Sequence, residues 1–196
     1  MPWTMLSVAV ALLASSSVGR LQAQAAPATL TVTSTAFKNG DAIPIEYTAD
    51  GRNVSPPLRW AGAPGTTREF ALILDDPDAT TPLPFVHWVI YKIPANATGL
   101  PEALPMGGAV KAPGMETAIQ GATGFAMYAR GGGLQPGYRG PAPPTGKPHH
   151  YTFHVFALNA PLEAKDGMTR DDLLQAMNGK IIAQGELVGV YERKIK

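Results

Sequence analysis

Three short stretches of the chain carry side chains that could bind or transform a ligand. Asp76 and Asp78 flank Pro77 directly after an apolar run, and the proline stiffens the corner that carries both carboxylates. His87 lies inside the apolar stretch FVHWVIYKI, and a His-His pair opens the stretch HHYTFHVFAL. Carboxylates beside imidazoles can ligate a divalent metal, or can orient a histidine so that it donates to an anion. Taken singly, the first stretch is also typical of a turn and the second of a hydrogen-bonded core histidine.

The stretch HHYTFHVFAL alternates in a way that assigns its residues to two faces of a strand. His149, Tyr151 and Phe153 share one face, and His150 and His154 share the other. The first face offers an imidazole and a hydroxyl two residues apart, close enough to hold one small polar group. The histidines of the second face are interpreted as solvated or packed on the sheet, so the adjacent pair does not act together.

Composition limits the classes of function. The chain has 196 residues, 45% of them hydrophobic, which suffices for the core of one domain. Its net charge is +1, so neither a nucleic-acid surface nor a polybasic membrane patch is expected. The absence of cysteine excludes thiol catalysis and thiolate metal sites. No apolar stretch beyond the N-terminus reaches the roughly 18 residues of a membrane span.

The N-terminus is typical of an export signal. The apolar run MLSVAVALLASSSVG is followed by Ala23-Gln24-Ala25, an A-x-A-like cleavage site, although no Lys or Arg precedes the run. We therefore expect residues 1–25 to be a signal peptide and residues 26–196 to form a single domain in the periplasm or outside the cell. An uncleaved tether is the main alternative.

Short apolar stretches separated by Gly- and Pro-rich turns predict a mainly β fold. The stretch 29–37 alternates like a half-buried strand, and a further strand is expected around Pro44. REFALILDD and FVHWVIYKI are continuous apolar runs, typical of strands covered on both faces, and ELVGVYER closes the chain with another strand. The pattern favours a β-sandwich.

One convincing helix is predicted at Arg170–Asn178. Thr169 is its expected N-cap, and Gly179 is expected to end it. A second short helix is possible. The Gly-rich segment 103–139 has weak periodicity, and its length makes it a candidate rim or lid for a site.

The order of these motifs resembles the phosphatidylethanolamine-binding proteins. DPDA, then VHWVIYKIP, then GYRGPAPPTGKPHHYTFHVFAL are similar to the two signature regions of that family. NVSPPLRWAGAP ahead of them and ELVGVYER after them look like its bacterial Raf-kinase-inhibitor-like (YbhB/YbcL) branch. The resemblance runs from about residue 30 to residue 193. It implies a Greek-key sandwich of antiparallel sheets with one or two short helices, one of them near the C-terminus.

The resemblance also implies which residues bind a ligand. Carried over residue by residue, the family's small anion pocket would be lined by a set of acids, histidines and loop residues: Asp76, Asp78, His87, Gly140, Pro143 (as the representative of prolines 141–144), His149 and Tyr151. Gly140 is expected to let a ligand approach backbone N–H groups. The chain departs from the family pattern at two positions. Thr80 stands where the family usually has a proline, and this change is expected to loosen one wall of the pocket. His150 stands where the family commonly has an arginine, and it is expected to face away from the pocket.

The expected function is that of a binding protein without catalytic activity or cofactor. Its ligand would be a small phosphate-like anion or a phospholipid headgroup resembling phosphoethanolamine, with a protonated His87 or His149 as donor. It could also modulate or inhibit a partner protein. The alternatives are a metal-dependent hydrolase that uses the Asp/His cluster, and a secreted protease inhibitor.

Overall fold

Two β-sheets packed face to face form the body of the computed structural model, which describes residues 26–128 and 136–194. The larger sheet has six strands in the order β1-β9-β8-β4-β5-β7, and the smaller has three in the order β2-β3-β6. All strand pairs are antiparallel except β1 with β9. The strands are β1 Ala28–Thr29, β2 Thr31–Thr33, β3 Leu58–Ala61, β4 Glu69–Asp76, β5 Phe85–Pro94, β6 Gly99–Leu100, β7 Ile119–Gln120, β8 His149–Leu158 and β9 Ile181–Tyr191. The expected mainly β fold is confirmed, whereas the signal-peptide prediction falls on residues outside the described ranges.

β4 lies at the centre of the large sheet, between β5 and β8, and every one of its residues is buried. Leu72 and Leu74 face the other sheet and pack in the larger core cluster with Trp60 of β3. Ala71 and Ile73 face the opposite way, into a second cluster. The prediction that this continuous apolar run is covered on both faces is confirmed.

The one α-helix among the described residues, α1 Arg170–Met177, covers the outer face of the large sheet. The Thr169 hydroxyl accepts a hydrogen bond from the Asp172 amide, and the Asp172 carboxylate accepts one from the Thr169 amide, which forms a capping box. Asn178 is the C-cap, so the helix ends one residue earlier than expected. Within the described residues no helix is long and apolar enough to cross a membrane.

Two expectations about the N-terminal part of the domain are wrong. The stretch 29–37 is not one strand, because the chain crosses between sheets at the buried Leu30, with β1 in the large sheet and β2 in the small one. The segment around Pro44 is not a strand either. Ala42 makes an isolated bridge with Val190, and a 3₁₀ turn, Ile45–Tyr47, begins directly after the proline. Pro44 has no N–H to continue a ladder, so the pairing stops there.

The Gly-rich segment 103–139 contains more structure than its sequence predicts. It includes the short strand β7 and a second 3₁₀ turn, Gly124–Tyr128. β7 pairs with β5, and the turn places Phe125 beside Phe85, the first residue of β5. Residues 129–135 lie outside the described part of the chain.

Candidate functional site

A half-open cavity of about 220 Å³ lies where β4 ends and where β5 and β8 begin. Prolines set this edge, since Pro77 follows β4 and Pro148 precedes β8. Five of the seven residues predicted for the ligand pocket meet here, together with loop and aromatic residues. The lining consists of Asp76, Ala79, Thr80, Thr81, Phe85, His87, Phe125, Ala142, Pro143, Pro144, His149 and Tyr151.

Asp76 uses both of its carboxylate oxygens inside the protein. Oδ1 accepts a hydrogen bond from the Asp78 amide at 2.9 Å, and Oδ2 accepts one from Nδ1 of His149 at 2.7 Å. Both side chains of the Asp76–His149 pair are almost entirely buried. The pair fixes the orientation of the imidazole, and Nε2 is the ring nitrogen left for a ligand.

His87 lies deeper in the site and is held by the loop that follows residue 138. Its Nδ1 donates to the carbonyl oxygen of Arg139 at 2.7 Å, and its backbone oxygen accepts from the Arg139 amide. Burial lowers the pKa of His87, and this outweighs the Arg139 carbonyl and the charge of Asp76, which act to raise it. A neutral imidazole that donates from Nδ1 carries a lone pair on Nε2. The expectation that His87 acts as a protonated donor is therefore not supported.

Tyr151 contributes a buried hydroxyl that has no partner in hydrogen-bond geometry within the described residues, although the carboxylate of Asp76 and the backbone of Ala142 lie nearby. Burial and the nearby charge of Asp76 raise the pKa of Tyr151, so the phenol stays protonated and can donate. The ring of Tyr151 lies edge-to-face against His87, with centroids 5.1 Å apart. A buried donor without a partner is costly unless a ligand or water satisfies it, which makes this hydroxyl a candidate ligand contact.

Two aromatic rings close the other side of the cavity. Phe85 and Phe125 pack edge-to-face at 4.8 Å, and each ring also contacts His87 at 5.3 Å. Phe125 comes from the Gly-rich segment 103–139, whose weak periodicity gives no sign of its position, so it was not among the predicted pocket residues. Together the rings give the polar groups an apolar surrounding.

Asp78 was predicted to line the pocket, but it is not among the lining residues. Its Oδ2 accepts from both the backbone amide and the ring Nδ1 of His150, each at 2.7 Å. These two hydrogen bonds lower the pKa of Asp78. The Asp78 carboxylate thus fastens the corner after β4 to the start of β8, and the Asp78 amide donates to Asp76 in the pocket. His150 is exposed, as its strand face predicts.

Gly140 was also predicted to line the pocket, with its amide facing a ligand, and the structure corrects this. The amide donates to Oδ1 of Asn53 at 2.8 Å. A Cβ atom at this position would lie 2.5 Å from the backbone oxygen of Tyr47. Glycine is needed here because two backbone segments touch, not because a ligand approaches.

A separate polar cluster lies on the outer face of the large sheet. The buried carboxylate of Asp75 accepts from Nε2 of His154 and from Nε of Arg170, each at 3.2 Å. Nδ1 of His154 also lies 2.9 Å from Oε1 of Glu186. His154 was predicted to be solvated or packed on the sheet, and its pairing with Asp75 was not predicted, because the two residues lie 79 positions apart in the sequence. Among the described residues, no group of three or more His, Asp or Glu side chains is arranged to hold a metal ion.

Comparison with known proteins now identifies the class to which this fold and cavity belong. The model of the phosphatidylethanolamine-binding protein family matches residues 33–192. The chain therefore belongs to the phosphatidylethanolamine-binding protein family, as its motifs indicate.

Relatives in archaea and bacteria cover most of the domain. A UPF0098 protein of Methanothermobacter thermautotrophicus is 42% identical over 158 residues, which span 81% of this chain and 95% of the relative. A UPF0098 protein of Aquifex aeolicus is 41% identical over 168 residues, spanning 85% and 90% of the two chains.

Solved structures agree with the fold. E. coli YbcL, described as a new member of the mammalian PEBP family, is 34% identical and superposes with a TM-score of 0.71 over 85% of this chain and 100% of its own. A phosphatidylethanolamine-binding protein homologue from Chlamydia trachomatis is 31% identical, with the same TM-score, over 85% and 99% of the chains. The likeness to YbcL agrees with the bacterial branch indicated by the sequence motifs.

Proposed function

We propose that this protein is a non-catalytic binding protein whose cavity takes a small phosphate-like anion or a phospholipid headgroup of the phosphoethanolamine type. The proposal rests on one observation above the others. Both oxygens of Asp76 are engaged within the protein, and one of them orients His149 so that Nε2 is left for the ligand.

This arrangement removes an objection to an anion beside a carboxylate. Two like charges 4 Å apart repel by about 4 kcal/mol at an effective dielectric near 20. In its imidazolium form, His149 would compensate the charge of Asp76 and also present an N–H at Nε2. This N–H and the Tyr151 hydroxyl, which has no partner among the described residues, are two donors that suit phosphate oxygens.

A zwitterionic headgroup suits the cavity better than a bare anion. Neutral His87 offers an acceptor at Nε2, which a phosphate oxygen does not need but an ammonium N–H does. The rings of Phe85 and Phe125 provide an apolar surrounding in which a nearby cation is attracted to aromatic faces. Phosphoethanolamine carries both groups at the separation of a two-carbon chain.

Calorimetric titration of the purified protein with phosphoethanolamine and with inorganic phosphate tests the proposal. We expect both to bind, phosphoethanolamine more tightly. His149→Ala should lower the affinity for phosphoethanolamine about tenfold or more, since a hydrogen bond to a charged group contributes about 1.5–3 kcal/mol. Tyr151→Phe should lower this affinity less, because only a neutral donor is lost.

The matched control is His150→Ala, which removes an exposed imidazole one residue away while the backbone amide keeps its bond to Asp78. It should leave the affinity nearly unchanged. If His150→Ala abolished binding and His149→Ala did not, the proposed site would be wrong. If neither ligand bound the wild-type protein, the function proposed here would be rejected.

A further inference from the structure

One peptide group, the amide that joins Arg139 to Gly140, is hydrogen-bonded on both sides. Its carbonyl oxygen accepts from Nδ1 of His87 at 2.7 Å, and its N–H donates to Oδ1 of Asn53 at 2.8 Å. Asn53 belongs to the loop before β3 and is not among the residues that line the pocket. The peptide group thus connects a side chain outside the pocket to an imidazole inside it.

The chain is held firmly on either side of this peptide group. The Arg139 amide donates to the carbonyl oxygen of His87, and the carbonyl oxygen of Pro141 accepts from the Ala49 amide. Gly140 has no Cβ to restrict its φ, so the peptide group between these fixed points is able to turn over. The bond to Asn53 holds the N–H on the side away from the ring and leaves the carbonyl oxygen facing His87.

The imidazole does not itself fix the direction of the peptide group. Nδ1 of a neutral histidine donates to a carbonyl oxygen in one tautomer and accepts from an N–H in the other. His87 therefore pairs with either orientation by moving its own proton from one ring nitrogen to the other. The direction in which the peptide group points decides which tautomer is present.

Asparagine meets two requirements at position 53. Its backbone has a φ of 57°, in the left-handed region that few residues other than glycine adopt. Asparagine tolerates this conformation, and its side chain also supplies the oxygen that the Gly140 amide needs. Glycine would satisfy only the first requirement, whereas aspartate would satisfy both.

We propose that Asn53 is a positioning residue that keeps neutral His87 in the tautomer with its proton on Nδ1 and its lone pair on Nε2. A residue outside the pocket would thus determine whether His87 offers the ligand an acceptor or a donor. The consequence for ligand choice rests on the proposed function. The tautomer itself is a property of the ligand-free protein.

The other tautomer would change what the pocket recognises. If the Gly140 N–H faced the ring, Nδ1 of His87 would accept from it and Nε2 would carry the proton. The pocket would then present a further donor beside the Tyr151 hydroxyl and lose its acceptor. Such a site suits a bare anion, whereas the tautomer proposed here also suits an ammonium group.

Nitrogen-15 NMR of the ligand-free protein tests the inference. Long-range correlation spectra distinguish a protonated ring nitrogen from one that carries a lone pair, and the proton on Cδ2 identifies Nε2. The spectra are recorded above about pH 6.5, where the buried His87 is neutral. Loss of signals in His87→Gln assigns this residue among the four histidines. Wild-type protein should show the proton of His87 on Nδ1.

Two variants of Asn53 separate its oxygen from its backbone conformation. Asn53→Gly retains the left-handed backbone and removes the oxygen, and roughly half of His87 should then carry its proton on Nε2, since the ring pairs with either orientation. Asn53→Asp keeps an oxygen that only accepts, and it should preserve the wild-type tautomer. In calorimetry, Asn53→Gly should lower the affinity for phosphoethanolamine about twofold, because half of the molecules lack the acceptor. Its affinity for inorganic phosphate should not fall.

Asn39→Gly is the matched control. Oδ1 of Asn39 also accepts from a backbone amide at 2.8 Å, that of Val188, and Asn39 does not line the pocket. This variant loses the same kind of hydrogen bond elsewhere in the domain. It should leave the tautomer of His87 and both affinities unchanged.

Several results would overturn the inference. A wild-type His87 with its proton on Nε2 would contradict it without any variant. An Asn53→Gly spectrum identical to that of wild type, or an Asn53→Asp spectrum that matched Asn53→Gly, would show that the Asn53 oxygen does not set the tautomer. Equal changes in Asn53→Gly and Asn39→Gly would assign the effect to a general loss of stability. If neither ligand bound but the spectra were as expected, the proposed function would fail and the role of Asn53 would stand.

Discussion

Asp75 and Asp76 are consecutive residues of β4, yet their carboxylates lie on opposite faces of the sheet and each holds a different histidine of β8. Asp76 accepts from His149 at 2.7 Å on the pocket side, and Asp75 accepts from His154 at 3.2 Å on the side of α1. The alternation of strand side chains imposes this division. One acidic pair thus serves a candidate ligand site and a structural cluster at the same time.

The two acids should respond differently to the same substitution. Asp75→Asn leaves Arg170 and His154 without their shared anion. Breaking a buried pair costs about 3–5 kcal/mol, and because these partners are 26% and 27% exposed we expect a smaller loss of roughly 1–3 kcal/mol. Asp76→Asn should instead lower the affinity for glycerophosphoethanolamine about tenfold. Urea unfolding and calorimetry on both variants separate the effects, and an exchange of the two phenotypes would contradict the division.

His154 should make stability depend on pH. Burial alone would lower the pKa of His154, but the hydrogen bond and charge of Asp75, together with Glu186, outweigh burial and raise it. The folded state therefore holds this proton more tightly than the unfolded state. Its contribution is complete below about pH 6.5, the ordinary histidine value, and is lost as pH rises through the raised pKa.

The measurement for His154 is urea unfolding at several pH values. The difference in unfolding free energy between wild type and His154→Gln should be largest near pH 6 and should shrink as pH rises through the raised pKa of His154. Glu186→Gln should weaken the dependence without removing it, since Asp75 remains. A difference that grew with pH would reverse the assigned sign.

Protonation of His87 should not contribute to the pH dependence of ligand binding above about pH 6.5, the ordinary histidine value. Burial lowers the pKa of His87, so its imidazole is already neutral in this range. Glycerophosphoethanolamine is a suitable probe because its phosphodiester keeps one negative charge there. Calorimetric titrations of wild type and His87→Gln at several pH values in this range should give affinities that differ by a constant factor. A difference between the two that changed with pH would show that His87 gains or loses a proton in this range.

Gly140→Ala should affect folding rather than ligand recognition. The added Cβ would lie 2.5 Å from the Tyr47 oxygen and 2.8 Å from Cα of Thr48, so the backbone must move. We expect a loss of about 1–3 kcal/mol in unfolding free energy. Gly65→Ala is the control, since nothing lies within 4 Å of its Cβ position, and it should stay within about 0.5 kcal/mol of wild type. Equal stability of the two variants would contradict the close backbone contact.

The parts of the site that follow from local periodicity could be predicted from the sequence. Alternation along β8 gives the correct faces for His149, His150 and Tyr151, because a strand places successive side chains on opposite sides. The cap at Thr169 could likewise be predicted, since the residues that form it lie within one helical turn.

The parts of the site that depend on contacts between residues far apart in the sequence could not be predicted. The Asn53 side chain accepts a hydrogen bond from the amide of Gly140, which lies 87 residues further along the chain. Asp75 and His154 are likewise 79 residues apart. No local pattern marks either pairing. Pro44 shows a different limit, because an alternating pattern around a proline resembles a strand although the missing N–H prevents one.

The pairing of β1 with β9 has a consequence for how the molecule is made. In the sequence these two strands are the first and last of the described domain, but in the large sheet they are hydrogen-bonded neighbours. A growing polypeptide that still lacks β9 has no partner for β1 and leaves the long edge of β8 open. Topologies that join such remote segments fold slowly, because much chain entropy is lost before the contacts form. The main sheet can therefore close only after β9 has been synthesised, and until then the edge of β8 stays unpaired.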